Sequence, residues 1–137
     1  MNGTIGYADP AADAPAEPAG GPAEPAAGSV EIETPDGRWV PVCGLAQLTP
    51  GRGVAALLPG GGQAALFLDR RGRTYAIGNR DPFTGAYVLS RGLLGSTGSA
   101  GPFVASPLLK QRFDLTTGRC LDDPEKSVPV YATRHLP

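Results

Sequence analysis

Apolar residues along the chain occur in short runs that glycine or proline ends. The clearest pair, Val54–Leu58 and Gln63–Leu68, is separated by the turn-forming Pro59–Gly62. Two such runs are typical of a β-hairpin with a loose loop. No window keeps apolar residues at the 3.6-residue helical period for three turns, so the pattern predicts strands and not helices.

The same short-run pattern continues through the rest of the chain. Gly44–Leu48 has room for one helical turn at most before Pro50-Gly51, and residues 95–101, GSTGSAG, predict a flexible loop. Further strands are predicted at Trp39–Val42, Thr74–Ile77, Phe103–Ala105, Arg112–Leu115 and Val128–Ala132. With 20 Gly and 15 Pro dividing these segments, the sequence predicts an all-β domain of sandwich or barrel type.

The first 28 residues differ from the rest in composition. Ala, Pro and Gly fill 19 of these 28 positions, and four acidic side chains stand there without a basic one. A segment of this composition has too little apolar surface to form a core. We therefore expect a disordered acidic tail over residues 1–28 and one folded domain over residues 29–137.

Charge and hydropathy exclude several classes of protein. Twelve Lys and Arg against 13 Asp and Glu leave a net charge of −1, so neither nucleic acid nor a membrane is an expected partner. The longest apolar run has five residues, against the roughly 20 of a membrane helix. The first residues also lack the basic and apolar regions of a secretory signal, and we expect a cytoplasmic protein.

Metal and acid-base chemistry have few candidate residues. One histidine and two cysteines cannot build a four-cysteine iron–sulfur site, a Cys2His2 zinc site or a Rieske cluster within one chain. His135 is the third residue from the end, where we expect an exposed, loosely held tail and not an oriented general base. Cys43 and Cys120 could form one disulfide, but free, idle thiols are expected in a reducing compartment.

Two segments resemble the cluster-binding loops of Rieske iron–sulfur proteins. Residues 81–92, DPFTGAYVLSRG, are similar to the first loop, C-P-H-x-G-A-x-L-S-x-G, with one extra residue. Residues 106–120, SPLLKQRFDLTTGRC, are similar to the second loop and its strand, C-P-x-H-G-x-x-F-D-L-x-T-G-x-C. The resemblance places the four iron-ligand positions at Asp81, Phe83, Ser106 and Leu109.

The residues at these positions are poor iron ligands. Phenylalanine and leucine have no donor atom, and the hard oxygens of aspartate and serine replace thiolate poorly. The resemblance therefore implies a Rieske-like fold, an antiparallel β-sandwich or barrel, without the [2Fe-2S] cluster.

A longer pattern, over roughly residues 37–134, resembles the small subunit of the assimilatory NAD(P)H-dependent nitrite reductases. It includes N-x-D-P-F, V-L-S-R-G-L-x-G and A-S-P-L-x-K-Q-x-F-D-L. The resemblance implies a large subunit as partner, which carries FAD, sirohaem and an iron–sulfur cluster and reduces nitrite to ammonium. It implies no cofactor in this chain.

Binding is therefore the expected role, since no motif in the chain indicates catalysis. We expect the end of the domain that holds the two loops to contact the large subunit, with Phe83 and Leu109 as apolar anchors. Four cations are expected to form a basic rim: Arg80, Arg91, Lys110 and Arg112. The alternative is that Phe83 and Leu109 fill the space of the cluster as a small core.

Asp81 and Asp114 are expected to fix turns and not to catalyse.

Two functions remain open from the sequence. One is a non-catalytic subunit of a cytoplasmic nitrite reductase, and the other is a free-standing, cluster-less Rieske-like module that regulates another oxidoreductase. Co-purification with a sirohaem flavoprotein distinguishes them. A third, the ferredoxin component of a Rieske oxygenase, is excluded by the missing ligands.

Overall fold

The computed structural model describes residues 28–96, 98 and 101–135. The described part contains ten short strands and two 3-10 turns, Leu45–Gln47 and Leu89–Arg91. The strands are β1 (Ser29–Glu33), β2 (Trp39–Gly44), β3 (Gly53–Leu57), β4 (Gln63–Leu68), β5 (Thr74–Gly78), β6 (Leu93–Ser96), β7 (Pro102–Ala105), β8 (Arg112–Asp114), β9 (Val130–Tyr131) and β10 (Thr133–His135). The all-β prediction is confirmed. Among these residues no helix is long and apolar enough to span a membrane.

The strands of the described part form three antiparallel sheets. Their orders are β10-β1-β2, β3-β4-β5-β9 and β6-β7-β8. The predicted hairpin is the β3–β4 pair, in which Ala55 lies opposite Ala65. The single helical turn predicted within Gly44–Leu48 is the 3-10 turn Leu45–Gln47.

Three strands were not expected from the sequence. β1 is the central strand of its sheet, and β6 begins before the predicted flexible loop and extends into it at Gly95 and Ser96. The expectation of a loose tail at His135 is wrong, because β10 pairs with β1 and places His135 opposite Val30. The expected tail over residues 1–28 lies outside the described residues except for Gly28, whose carbonyl oxygen accepts a 2.7 Å hydrogen bond from Leu45 N.

The middle sheet has a buried core on each face. Successive side chains of β4 point to opposite faces: Leu66 and Leu68 enter a cluster with Val30 and Ile32 of β1. Phe67 enters a second cluster, which also contains Ile77, Leu89, Val104 and Phe113. Burial on both faces explains why β4 is a continuous apolar run and does not alternate.

The two cysteines lie in different cores. Cys43 belongs to the cluster around β1 and Cys120 to the cluster around Phe67. Both are buried and neither is in a disulfide within the described part of the chain. Burial raises the pKa of the Cys43 thiol to about 11, so this thiol is an unreactive core side chain at neutral pH.

Candidate functional site

The first loop, residues 80–88, is organised by Asp81. This carboxylate is fully buried, and its Oδ1 atom accepts a 2.8 Å hydrogen bond from Phe83 N. The backbone of Asp81 closes the same turn: its carbonyl oxygen accepts from Gly85 N at 2.7 Å, and its N–H donates to Ala86 O at 2.8 Å. Gly85 has φ +81°, a conformation that glycine adopts without strain. Asp81 thus fixes the turn, as the sequence predicted.

Asn79 connects this loop to the sheet. Its buried side chain accepts a 2.7 Å hydrogen bond from Ser90 N and donates one of 2.9 Å to Gln63 Oε1. The motif glycine at the end of the segment, Gly92, packs directly beneath β7, since a Cβ there would collide with Val104 and with the carbonyl of Ala105. The motif residues on both sides of the first loop therefore attach it to β4, β5 and β7.

The second loop, residues 106–111, is organised by Ser106 in the same way. Ser106 is 1% exposed. Its hydroxyl oxygen accepts a 3.3 Å hydrogen bond from Leu108 N, and its carbonyl oxygen accepts from Lys110 N at 3.0 Å. Ser106 N donates to Gln111 O at 2.8 Å, which closes the base of the loop. Lys110 has φ +66° and is the one non-glycine residue of the described part with a positive φ.

The two organising residues bond to each other. Ser106 Oγ donates a 2.6 Å hydrogen bond to Asp81 Oδ2, and the contact is buried. These are the two positions that the Rieske resemblance gives to cysteine ligands. The structure therefore joins the two loops through a serine–carboxylate hydrogen bond at the place where thiolates would hold iron.

The two positions corresponding to histidine ligands behave differently from each other. Phe83 is partly buried against the second core cluster, with its ring centroid 6.2 Å from that of Phe113 and Lys126 Nζ 5.6 Å from its centre. Leu109 is 53% exposed. The structure thus gives Phe83 a core environment and leaves Leu109 on the surface.

Exposed apolar residues concentrate at this end of the domain. Five large apolar side chains of the described part are exposed, and three of them lie in the two loops: Tyr87, Leu108 and Leu109. Sequence reasoning missed Tyr87 and Leu108. Both could have been found from the sequence, because each is an apolar residue within a loop, and surface positions in loops are usually polar. The loops in question are those that begin with the Asp81 and Ser106 turns.

The four cations predicted to form a basic rim are not equivalent. Within the described part, the side chains of Arg80, Arg91 and Lys110 are exposed and make no hydrogen bond or ion pair. Arg112 instead forms a two-atom ion pair with Asp122, at 2.8 Å and 3.2 Å. Hydrogen bonds from Arg112 lower the pKa of Asp122. The guanidinium of Arg112 also lies 5.6 Å from the centre of the Phe103 ring, so an intramolecular contact already occupies it.

The donor set does not fit a [2Fe-2S] cluster. Phe83 and Leu109 offer no donor atom, and both carboxylate oxygens of Asp81 already accept hydrogen bonds. Across the described residues, no three His, Cys, Asp or Glu side chains group closely enough to hold a metal ion. Asp114 accepts from Thr116 and Thr117 at the end of β8. Although burial acts in the opposite direction, these hydrogen bonds lower the pKa of Asp114, and the residue fixes a turn as predicted.

An all-β domain in which two such loops meet defines the Rieske-like class of proteins. The family model for the Rieske-like [2Fe-2S] domain matches residues 38–136. The NADH nitrite reductase small subunit of Salmonella typhimurium is 44% identical over 97 residues, which cover 71% of this chain and 89% of that protein.

Solved structures agree with this comparison. A Mycobacterium tuberculosis protein assigned as an NADH-dependent nitrite reductase small subunit is 52% identical, with a TM-score of 0.68 over 71% of this chain and 85% of that one. The Escherichia coli protein NirD is 41% identical, with a TM-score of 0.62 over 69% of this chain and 86% of that one. The chain belongs to the Rieske-like domain family and, within it, to the nitrite reductase small subunits, which confirms the resemblance and the Rieske-like all-β fold expected from the sequence.

A further similarity is to part of a longer protein. The nitrite reductase large subunit of Klebsiella oxytoca is 45% identical over 62 residues, which are 45% of this chain and 6% of that protein.

Proposed function

We propose that the chain is the non-catalytic small subunit of a cytoplasmic NAD(P)H-dependent nitrite reductase, which converts nitrite to ammonium in nitrate assimilation. It acts by docking to the large subunit through the loop tip, defined here as the exposed side chains of Tyr87, Leu108 and Leu109. The observation that carries the proposal is this concentration of exposed apolar side chains on two internally braced loops. Rigid loops that expose apolar residues are typical of interaction surfaces.

The similarity to part of a large subunit supports a working pair. In Klebsiella oxytoca, a segment similar to this chain lies within a polypeptide named as the large subunit. Two parts that occur in one polypeptide are positioned to act on each other, and separate chains must achieve the same proximity by binding. This favours a large subunit as the partner of the loop tip.

In the proposed complex, the redox chemistry belongs to the large subunit. FAD, sirohaem and the iron–sulfur cluster that the family resemblance implies are assigned in this proposal to the large subunit. The poor fit of a metal centre to the four cluster positions of this chain supports leaving the small subunit without one. Asp81 and Ser106 also form a hydrogen bond with each other. The small subunit contributes affinity and orientation, so its effect on turnover passes through binding.

The loop tip also indicates the chemistry of the surface that it fits. Burying apolar side chains contributes about 25 cal/mol per Å², so two half-exposed leucines and a tyrosine can anchor a complex. Within the described residues, Arg80, Arg91 and Lys110 make no ion pair, and they lie in or close to the two loops in sequence. They favour a partner surface whose apolar centre is bordered by carboxylates. Such a rim mainly accelerates association and makes it sensitive to salt.

The proposal is tested by binding to the large subunit of the same organism. The double variant Leu108→Ser/Leu109→Ser removes most of the apolar surface of the second loop and is expected to weaken binding at least tenfold in titration calorimetry. Leu93→Ser is the matched control, since Leu93 is the most exposed of the five large apolar residues at 75% and lies outside both loops. It is expected to bind like the wild type.

Two outcomes would contradict the proposal. Wild-type affinity in the double variant would exclude the loop tip as the contact surface. The proposal would also be wrong if the wild-type chain did not bind the large subunit and purified from its host without flavin and sirohaem absorption. The chain would then be a free-standing module that regulates another oxidoreductase.

A further inference from the structure

We propose that the hydrogen bond between Asp81 and Ser106 is a docking brace, which sets the relative position of the two loops and thereby the shape of the loop tip. Asp81 and Ser106 are then positioning residues for assembly, although neither touches the partner. This inference rests on the proposed function and adds the residues that hold its contact surface in place.

Each partner of the brace controls the turn that displays an exposed residue. Ser106 accepts from Leu108 N through its hydroxyl and from Lys110 N through its carbonyl, and Leu109 lies between these two donors. Asp81 accepts from Phe83 N and Gly85 N and donates to Ala86 O, one residue before Tyr87. A movement of either organising residue would therefore move an apolar contact residue with it.

The brace joins segments that are distant in sequence. Asp81 and Ser106 are separated by 25 residues and approach to 2.6 Å between Oδ2 and Oγ. Both residues are buried, at 0% and 1% exposure, so water does not compete for the bond. In a buried site, losing one partner of a hydrogen bond leaves the other unsatisfied.

The backbone beyond Ser106 supports a positioning role. Lys110 adopts φ +66°, a left-handed conformation that disfavours residues with a Cβ. Such a conformation persists where the surroundings impose it, and here the Ser106 carbonyl holds Lys110 N at 3.0 Å. The turn that presents Leu108 and Leu109 is thus held from its base and does not follow from the local preference of its residues.

The test compares variants that break the brace with one that keeps it. Ser106→Ala removes the donor and Asp81→Ala the acceptor, and each is expected to weaken binding to the large subunit by about tenfold, the loss of one buried hydrogen bond. Asp81→Asn keeps a direct contact between the loops, because its amide oxygen can accept from Phe83 N while its amide nitrogen donates to Ser106 Oγ, although the Ser106 O–H then has no acceptor on residue 81. We therefore expect Asp81→Asn to lose less affinity than Asp81→Ala and to bind within about threefold of the wild type.

A stability control separates positioning from folding. Ile32→Val removes one methylene from the core on the opposite face of the middle sheet, where Ile32 is fully buried. It destabilises the domain without touching either loop and is expected to keep wild-type affinity at temperatures where circular dichroism shows every variant folded. If Ser106→Ala bound like the wild type, or if Ile32→Val lost as much affinity, the brace would not position the loops for docking.

A second measurement needs no partner. In the isolated subunit, Asp81→Ala is expected to accelerate hydrogen exchange at the amides of Leu108 and Lys110, although both lie in the other loop. Unchanged exchange at these amides would overturn the brace. Because this readout does not involve the large subunit, a failure of the proposed function leaves it interpretable.

Discussion

The two loops use similar turns for opposite purposes. In the first loop, the turn that Asp81 caps directs Phe83 against the core, where its partly buried ring lies beside that of Phe113. In the second loop, the turn that Ser106 caps leaves Leu109 53% exposed. Both residues occupy positions that correspond to histidine ligands, so equivalent places in the motif have acquired a core residue in one loop and a surface residue in the other.

This difference separates stability from binding. An apolar side chain in the core contributes chiefly to the free energy of folding, whereas an exposed one contributes little until a partner buries it. Of the two alternatives considered from the sequence, packing against the core describes Phe83, whereas the proposed role of apolar anchor remains open only for Leu109, which is exposed. Substitutions in each loop test whether the free energy of folding and the free energy of binding to the large subunit depend on different residues, as the burial of these residues indicates.

The largest effect is expected from Phe83→Ala. Removing a partly buried phenylalanine leaves a space beside Phe113 and is expected to cost about 2 kcal/mol of unfolding free energy, less than for a fully buried ring. The measurement is urea denaturation followed by circular dichroism. Phe83→Leu keeps most of the volume and should recover most of the loss. A stable Phe83→Ala variant with weakened binding would mean that Phe83 contacts the partner instead.

The next largest effect is expected at Tyr87, which is exposed although it lies in the same loop as the partly buried Phe83. Tyr87→Ala is expected to leave the unfolding free energy within about 0.5 kcal/mol of the wild type, because the side chain is 53% exposed. Binding to the large subunit is expected to fall by about tenfold, since tyrosines are frequent hot spots. Leu93→Ala serves as the exposed control outside the loops, and equal losses in both variants would argue against a contact surface centred on the two loops.

The sequence predicted those parts of the fold in which local pattern and burial coincide. β4 was recognised because both of its faces are buried, so that its residues form one apolar run. β1 was missed because a charged residue, Glu31, is also buried, and its carboxylate is satisfied by Arg134 Nε at 2.7 Å. β6 was missed because Leu93 is exposed and Gly95 carries no strand preference. These exceptions depend on contacts with distant residues.

The candidate site was likewise predictable in its parts and not in its assembly. The motif letters placed Asp81, Phe83, Ser106 and Leu109 at corresponding positions, but periodicity cannot assign burial within a loop that has no period. The Asp81–Ser106 hydrogen bond depends on how two loops fold against each other. The pairing of Arg112 with Asp122 similarly removed one member from the predicted basic rim, because Asp122 lies beyond the motif that was compared.

A smaller effect, of opposite sign, is expected at Lys110. Lys110→Gly relieves the left-handed strain at φ +66°, while glycine also increases the entropy of the unfolded chain. The net expectation is a gain of about 0.5 kcal/mol in unfolding free energy, measured by urea denaturation. Lys110→Ala keeps the Cβ and removes the same charge, so it should show no gain. A destabilised Lys110→Gly variant would indicate that the lysine side chain itself supports the loop.

The smallest effect is expected at Arg112, whose ion pair with Asp122 lies on the surface. Exposed pairs contribute little, so Arg112→Gln is expected to lower Tm by about 2 °C or less and to leave affinity for the large subunit nearly unchanged. Arg91→Gln, by contrast, should reduce the salt dependence of association.

The stabilising effect of this ion pair depends on pH. Because the folded-state pKa of Asp122 is lowered, the contribution of Asp122 to stability is present above the unfolded pKa near 3.8. It is lost as the pH falls through the lower folded pKa. The Tm difference between wild type and Arg112→Gln should therefore persist at pH 7 and disappear in strong acid. If Arg112→Gln lost as much affinity as Tyr87→Ala, Arg112 would belong to the contact surface after all. The partner would then compete with Asp122 for the Arg112 guanidinium.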